Sequence, residues 1–205
     1  MSSHDVVVNN GVPTIQPGAG ITKEAYAKMM MLAAVASDVS PYSWTAENTI
    51  VTSPRLHAWW TPAQVRWMHF QSTEIKCTKQ AHNPALLWVA VDKQLFVFAL
   101  KESIRPGPDT ALFQPPLYNV AEHGSVCLGT MLPSKSGDTQ EWVNLFYGST
   151  FTHTNGVNLK LTKHPEGNVA LWNELLEDST REFPVQYLKP LNTTVEAVIQ
   201  KLSNA

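Results

Sequence analysis

The sequence predicts an α+β domain. Two apolar runs, "LLWVAV" and "QLFVFAL", flank a two-residue turn at Asp92-Lys93 and read as adjacent antiparallel strands. A proline-punctuated segment, Ser103–Ser136, follows them, and helical patterns with capping signals return only after it. Hairpin, helix, antiparallel strands, ordered loop and then helices is the order of an α+β domain rather than of alternating βαβ units.

The elements follow in order. "VVVNNGVPTI" (6–15) sets Asn10-Gly11 between apolar runs, the strongest short hairpin signal. "PGAG" breaks the chain, Thr22 offers an N-cap hydroxyl, and "KEAYAKMMMLAAVAS" reads as a helix. Residues 1–40 are therefore expected to form a hairpin plus helix, either part of the fold or an appendage to a main domain at 41–205 with C-terminal helices. "NTIVTSPRLHAWW" and "QVRWMHF" are β-rich, broken by Ser53-Pro54 and Thr61-Pro62. Trp59, Trp60, Trp67 and Trp88 fall in such runs, which predicts core or sheet-face packing. In "QLFVFAL", Leu95, Val97 and Ala99 alternate with Phe96, Phe98 and Leu100, so both faces of that strand are apolar and both need cover.

Between Ser103 and Ser136 strand and helix signals fade under five prolines: Pro106, Pro108, Pro115, Pro116 and Pro133. Leu112, Phe113, Leu117, Val126, Leu128 and Met131 are enough to pack the segment down, and a long ordered loop in a compact domain points to function. Asp138 and Glu141 make a capping box ahead of Trp142, Leu145 and Phe146. Asn168 precedes a second helix through Trp172, Leu175 and Leu176. Thr193 and Glu196 repeat the capping box ahead of Val198, Ile199 and Leu202.

The bulk properties narrow the function. The 205 residues are 43% hydrophobic and 16% charged, a globular composition. A formal net charge of −2 gives no electrostatic footprint for nucleic acid or an acidic membrane surface. Two distant cysteines make no disulfide framework, no apolar run reaches membrane-spanning length, and no signal pattern opens the chain, so a cytoplasmic protein is expected.

One cysteine stands in an unusual place: "YNVAEHGSVCLGT", residues 118–130. A thiol can hold an acyl group as a thioester and pass it on. Acyl transfer builds negative charge on a carbonyl oxygen, for which a nearby amide donor is useful. Asn119 lies upstream of Cys127, and Gly124 lets the backbone turn back between them.

Asn119, Gly124, Val126, Cys127 and Leu128, at these spacings, resemble the active-site segment of ubiquitin-conjugating enzymes, in which His-Pro-Asn is followed by a short loop and Gly-x-[Ile/Val]-Cys-Leu. The resemblance implies a UBC-like fold for the main domain at 41–205: an antiparallel β-meander with flanking helices and an ordered active-site loop. It implies that Cys127 would carry the thioester, that Asn119 would orient the loop or stabilise the oxyanion, and that no cofactor is needed. The chain is also similar to the PRTRC system protein B family, a plasmid-associated bacterial group. The similarity lies in "HDVVVNNGVPTIQPGAGIT", "HAWWTP", "LFVFAL", "RPGPDTALFQPPLYNV", "GSVCLG" and "EWVNLFYGSTFTHTNG", over residues 4–160. That likeness implies work beside a ubiquitin-like protein, a ThiF-like activating enzyme and a JAB-type peptidase.

The chain departs from the enzyme pattern in two places: Leu117-Tyr118 stand where His-Pro is usual, and Gly129 where Asp is common. Asp138 is the candidate for the downstream acidic residue, and His153 and His123 are candidates for a substitute base.

Plainer readings stand beside these. Cys127 between two apolar residues can be a small buried hydrophobe, and the protein then a catalytically inactive binding module for a ubiquitin-like partner. Asn119 can serve a turn by bonding its own backbone, and His153 can be a surface residue with Thr152 as a turn partner. Cys77, His82, His123 and Cys127 make two Cys/His pairs, a possible zinc set for a plasmid maintenance or scaffold protein, although neither pair has tight zinc-motif spacing.

Overall fold

A computed structural model describes residues 4–9, 12–17, 22–36, 46–129, 139–154 and 161–204. The chain divides into two compact units, Met1–Ala46 and Glu47–Ala205. In the first, strands β1 (His4–Asn9) and β2 (Val12–Pro17) pair antiparallel with Asn9 opposite Val12. Only two residues join them, as the Asn-Gly signal requires; Asn10 and Gly11 themselves lie outside the described residues. Helix α1 (Lys23–Ala36) begins where expected, with the Ala25 N–H donating to Thr22 Oγ1 at 3.1 Å.

The second unit is built on six antiparallel strands: β3 (Thr49–Thr52), β4 (Leu56–Thr61), β7 (Ala85–Val91), β8 (Gln94–Leu100), β9 (Ala111–Gln114) and β10 (Lys189–Thr194). Their spatial order is β10-β9-β8-β7-β4-β3. β5 (Gln64–Gln71) and β6 (Lys76–Asn83) pair as a separate hairpin. They nevertheless continue β4 and β7 without a change of register, since Thr61 faces Leu86 and Gln64 faces Asn83. The ladder breaks where Pro62 and Pro84 stand, because neither has an N–H to give.

The sheet is covered on both faces. Leu86, Trp88 and Ala90 of β7, with Leu95, Val97 and Ala99 of β8, join Trp142, Val143 and Phe146 of α2 (Thr139–Gly148) and Leu171, Trp172 and Leu175 of α3 (Gly167–Glu177). The alternate residues, Leu87 and Val89 with Phe98 and Leu100, pack against Val195 and Val198 of α4 (Val195–Ser203). The two-faced strand read from the sequence is therefore observed. Trp59 stacks on Trp88 across β4 and β7, with ring centroids 6.3 Å apart, and the Trp88 indole donates to Thr61 Oγ1 at 3.0 Å. Trp67 is the exception among the described tryptophans, 55% exposed on β5.

Some expectations need correction. β6 carries a polar sequence and is a strand only because β5 pairs along its whole length. The Ser103–Ser136 segment is not wholly irregular, since β9 lies inside it. The residue capping α4 is Thr194, which accepts from the Ala197 N–H at 3.3 Å, one position after the Thr193 expected. Asn168 does not precede α3 but lies inside it: the helix starts at Gly167, and Glu166 stands before it without a side-chain cap. Asp138 lies outside the described residues.

The proline-rich segment is anchored from α3, where the buried Trp172 indole N–H donates to the Pro116 carbonyl at 2.6 Å. Trp172→Phe keeps an aromatic ring but loses the indole N–H and its five-membered ring, orphaning that buried carbonyl and leaving a small cavity. A loss of about 1–3 kcal/mol is expected, read as a lower midpoint in urea with little change of slope.

Candidate active site

The outer edge of β8 is divided. Ala99, near its C-terminal end, pairs with Phe113 of β9. Its first half is taken instead by the cysteine loop: the Val126 N–H donates to the Leu95 carbonyl at 2.9 Å, and the Val97 N–H to the Gly124 carbonyl at 2.8 Å. The loop folds back on itself through a Val120–Val126 bridge. Val126 is thereby buried, and the next residue along, Cys127, is solvent-exposed.

Gly124 is obligatory at this contact. Its φ is +82°, and a Cβ there would sit 2.6 Å from the Phe98 ring and 2.7 Å from the Val97 carbonyl oxygen. The ring can shift; a backbone carbonyl held in a ladder cannot.

Asn119 organises the other side. It adopts a left-handed φ of +60°, which Asn tolerates better than other non-glycine residues. Its carbonyl accepts from the Cys127 N–H at 2.7 Å and its own N–H donates to the His153 carbonyl at 2.8 Å. Its side-chain amide donates to the Thr150 carbonyl at 2.8 Å and accepts from the Thr152 N–H at 3.1 Å. One residue thus ties the cysteine loop to the segment after α2. This is the loop-holding geometry, made across 31 and 33 residues of sequence rather than within a local Asn turn.

Cys127, Asn119 and His153 line one open groove of about 860 Å³. Leu128 and Gly129 flank the thiol, and Glu141, Asn144 and Leu145 of α2 form a further wall. The His153 ring is exposed, with Nδ1 2.8 Å from Thr152 Oγ1. Sequence reading missed Thr150 and Asn144, and it named Thr152 only as a turn partner of His153, a contact the structure contains. Tyr118, where the enzyme pattern has proline, is 2% exposed and packs edge-on against Phe70 at 5.2 Å. Burial raises its phenol pKa, with Glu74 adding to the effect and Ser72 opposing it.

The other candidates fall elsewhere. His123 sits at the exposed turn between the two arms of the loop and does not line the groove. The four-residue zinc set does not assemble. Cys77 lies on β6 packed against the core, and His82 is five residues along the same strand, an odd separation that points it the other way. His82 Nδ1 is occupied by the Phe183 N–H at 3.2 Å. Among the described residues no group of three or more His, Cys, Asp or Glu converges as a metal site.

An antiparallel sheet flanked by helices, with a cysteine loop laid along its edge, is an E2-like, ubiquitin-conjugating-enzyme-like fold. The model of prokaryotic E2 family D matches residues 25–191, and the chain belongs to that family. No significant match was found among curated proteins or among solved structures. The family makes this a conjugating-enzyme-like protein, of a class that works with ubiquitin-like proteins and their activating enzymes in general. Among the described residues no helix is long and apolar enough to cross a membrane.

Two substitutions test the construction. Gly124→Ala is expected to cost about 1–3 kcal/mol through overpacking and backbone strain, measured as a lower thermal midpoint. Asn119→Ala leaves the Thr150 carbonyl and Thr152 N–H without their partner. Faster hydrogen exchange at the Thr152 amide is expected, with a stability loss of about 1–3 kcal/mol.

Proposed function

We propose that the chain is a ubiquitin-like-protein conjugating enzyme that carries its cargo as a thioester on Cys127. The observation that supports this most is the exposed Cys127 thiol in an open groove shared with Asn119 and His153. A buried, packing cysteine is the alternative that this exposure argues against.

In the first step the Cys127 thiolate attacks the thioester carbonyl that links a ubiquitin-like protein to its activating enzyme. A new S–C bond forms on Cys127 and the activating enzyme's thiolate leaves. In the second step an amine attacks the same carbonyl carbon. The C–N bond forms, the S–C bond to Cys127 breaks, and the amine's proton passes to a base, for which His153 is our candidate. Asn119 acts by holding the two segments of the groove together. Asp138 remains a candidate acidic residue and His123 a lesser base candidate. The energy arrives with the thioester, so neither step requires a metal or an organic cofactor.

The finer assignment follows from sequence resemblance: a PRTRC system protein B, plasmid-encoded, acting in the cytoplasm beside a ThiF-like activating enzyme and a JAB-type peptidase. The hairpin and helix of residues 1–40 are then an appendage to a transfer domain at 41–205.

The test is incubation with the cognate activating enzyme, ubiquitin-like protein and ATP. A thiol-sensitive adduct is expected on wild type and on Cys77→Ser, and none on Cys127→Ser. A folded wild type whose Cys127 labels with iodoacetamide but takes no adduct overturns the carrier reading and leaves a binding module on the same fold.

A further inference from the structure

Thr152 makes two contacts with one hydroxyl. Its Oγ1 lies 3.3 Å from Asn119 Oδ1 and 2.8 Å from His153 Nδ1. The orientation of the Asn119 amide is fixed independently, because its oxygen accepts the Thr152 N–H and its nitrogen donates to the Thr150 carbonyl. An amide oxygen has no proton to offer. At 3.3 Å the contact between the two oxygens is a long hydrogen bond, and only the Thr152 hydroxyl can supply its proton. With that proton given to Asn119, Thr152 Oγ1 can only accept from the imidazole. In that arrangement His153 Nδ1 carries the hydrogen of the 2.8 Å contact. The reverse assignment, with the hydroxyl donating to Nδ1, forgoes the hydroxyl's bond to Asn119 Oδ1 and leaves that oxygen the Thr152 N–H alone.

We infer that Thr152 is a positioning residue that holds neutral His153, which lines the cysteine groove, in the Nδ1–H tautomer, leaving Nε2 as the ring's proton acceptor. The chain runs His153 Nδ1–H to Thr152 Oγ1–H to Asn119 Oδ1. Nε2 has no hydrogen-bond partner among the described residues. Asn119 therefore serves the thiol and the base at once: its carbonyl holds the Cys127 N–H, and its amide oxygen terminates the chain that orients the imidazole. The tautomer itself is independent of the carrier reading. Its use in discharging an acyl group to an amine rests on that reading.

The experiment has two readouts. Long-range proton–nitrogen correlation spectra of the full chain, taken well above the ordinary imidazole range of pH ~6.5, distinguish the tautomers, with His153→Gln assigning the signal. Wild type and Thr152→Ser are expected to show Nδ1–H, and Thr152→Val to shift toward Nε2–H. In parallel, Cys127 is acylated with a glycine-terminated peptide thioester and discharged to free lysine. Thr152→Val is expected to discharge about 10-fold more slowly, part of the effect of a positioned base, with Thr152→Ser close to wild type. An Nε2–H signal in wild type, or an unchanged spectrum in Thr152→Val, overturns the inference. If the tautomer behaves as stated and Cys127 never loads, the carrier reading fails and the role of Thr152 in orienting His153 stands.

Discussion

A strand buried on both faces still has two edges of backbone donors and acceptors, and each must find a partner. In this protein β8 satisfies its outer edge twice over, with β9 at one end and the cysteine loop at the other. That division positions the groove. The loop is held in a ladder that the core depends on, so it cannot drift without uncovering Leu95 and Val97. The same ladder turns Val126 inward and so leaves Cys127 outward. Exposure of the thiol is in this sense a consequence of strand alternation beside a buried neighbour.

Asn119 converts that fixed loop into a site. Its left-handed turn places a carbonyl under the Cys127 amide, while its side chain reaches Thr150 and Thr152. The segment after α2 would otherwise be an ordinary helix exit. Bound this way, it brings His153 to the groove. Tyr118 contributes from the other direction, since its buried ring against Phe70 pins the residue before Asn119. The departure from the His-Pro of the enzyme pattern is thus filled by an aromatic that packs.

Much of this was legible in the sequence. Alternating apolar residues in 94–100 announced a sheet with two covered faces, and the Asn-Gly-Cys spacing announced the loop. Three strands escaped. β6 buries little besides Ala81 and Asn83, so its pattern shows no period. β9 is four residues among prolines. β10 carries Asn192 at a φ of +55° and a register shift between Pro190 and Thr194, which breaks its alternation. The groove's second wall escaped because it is joined by hydrogen bonds spanning more than thirty residues, and no spacing rule reaches that far. The zinc set illustrates the opposite error. Cys77 and His82 are near in sequence, yet residues an odd number apart on one strand point to opposite sides.

The central sheet is also a partition. Its α2–α3 side and its α4 side share a backbone but almost no side chains, so residue parity along β7 and β8 becomes a map of independent territories. Natural variation at the buried Leu87 and Val89 can re-tailor the packing under α4 while the side facing α2 and α3 keeps its own. Two histories can thus be written into one ribbon of chain, on alternate letters.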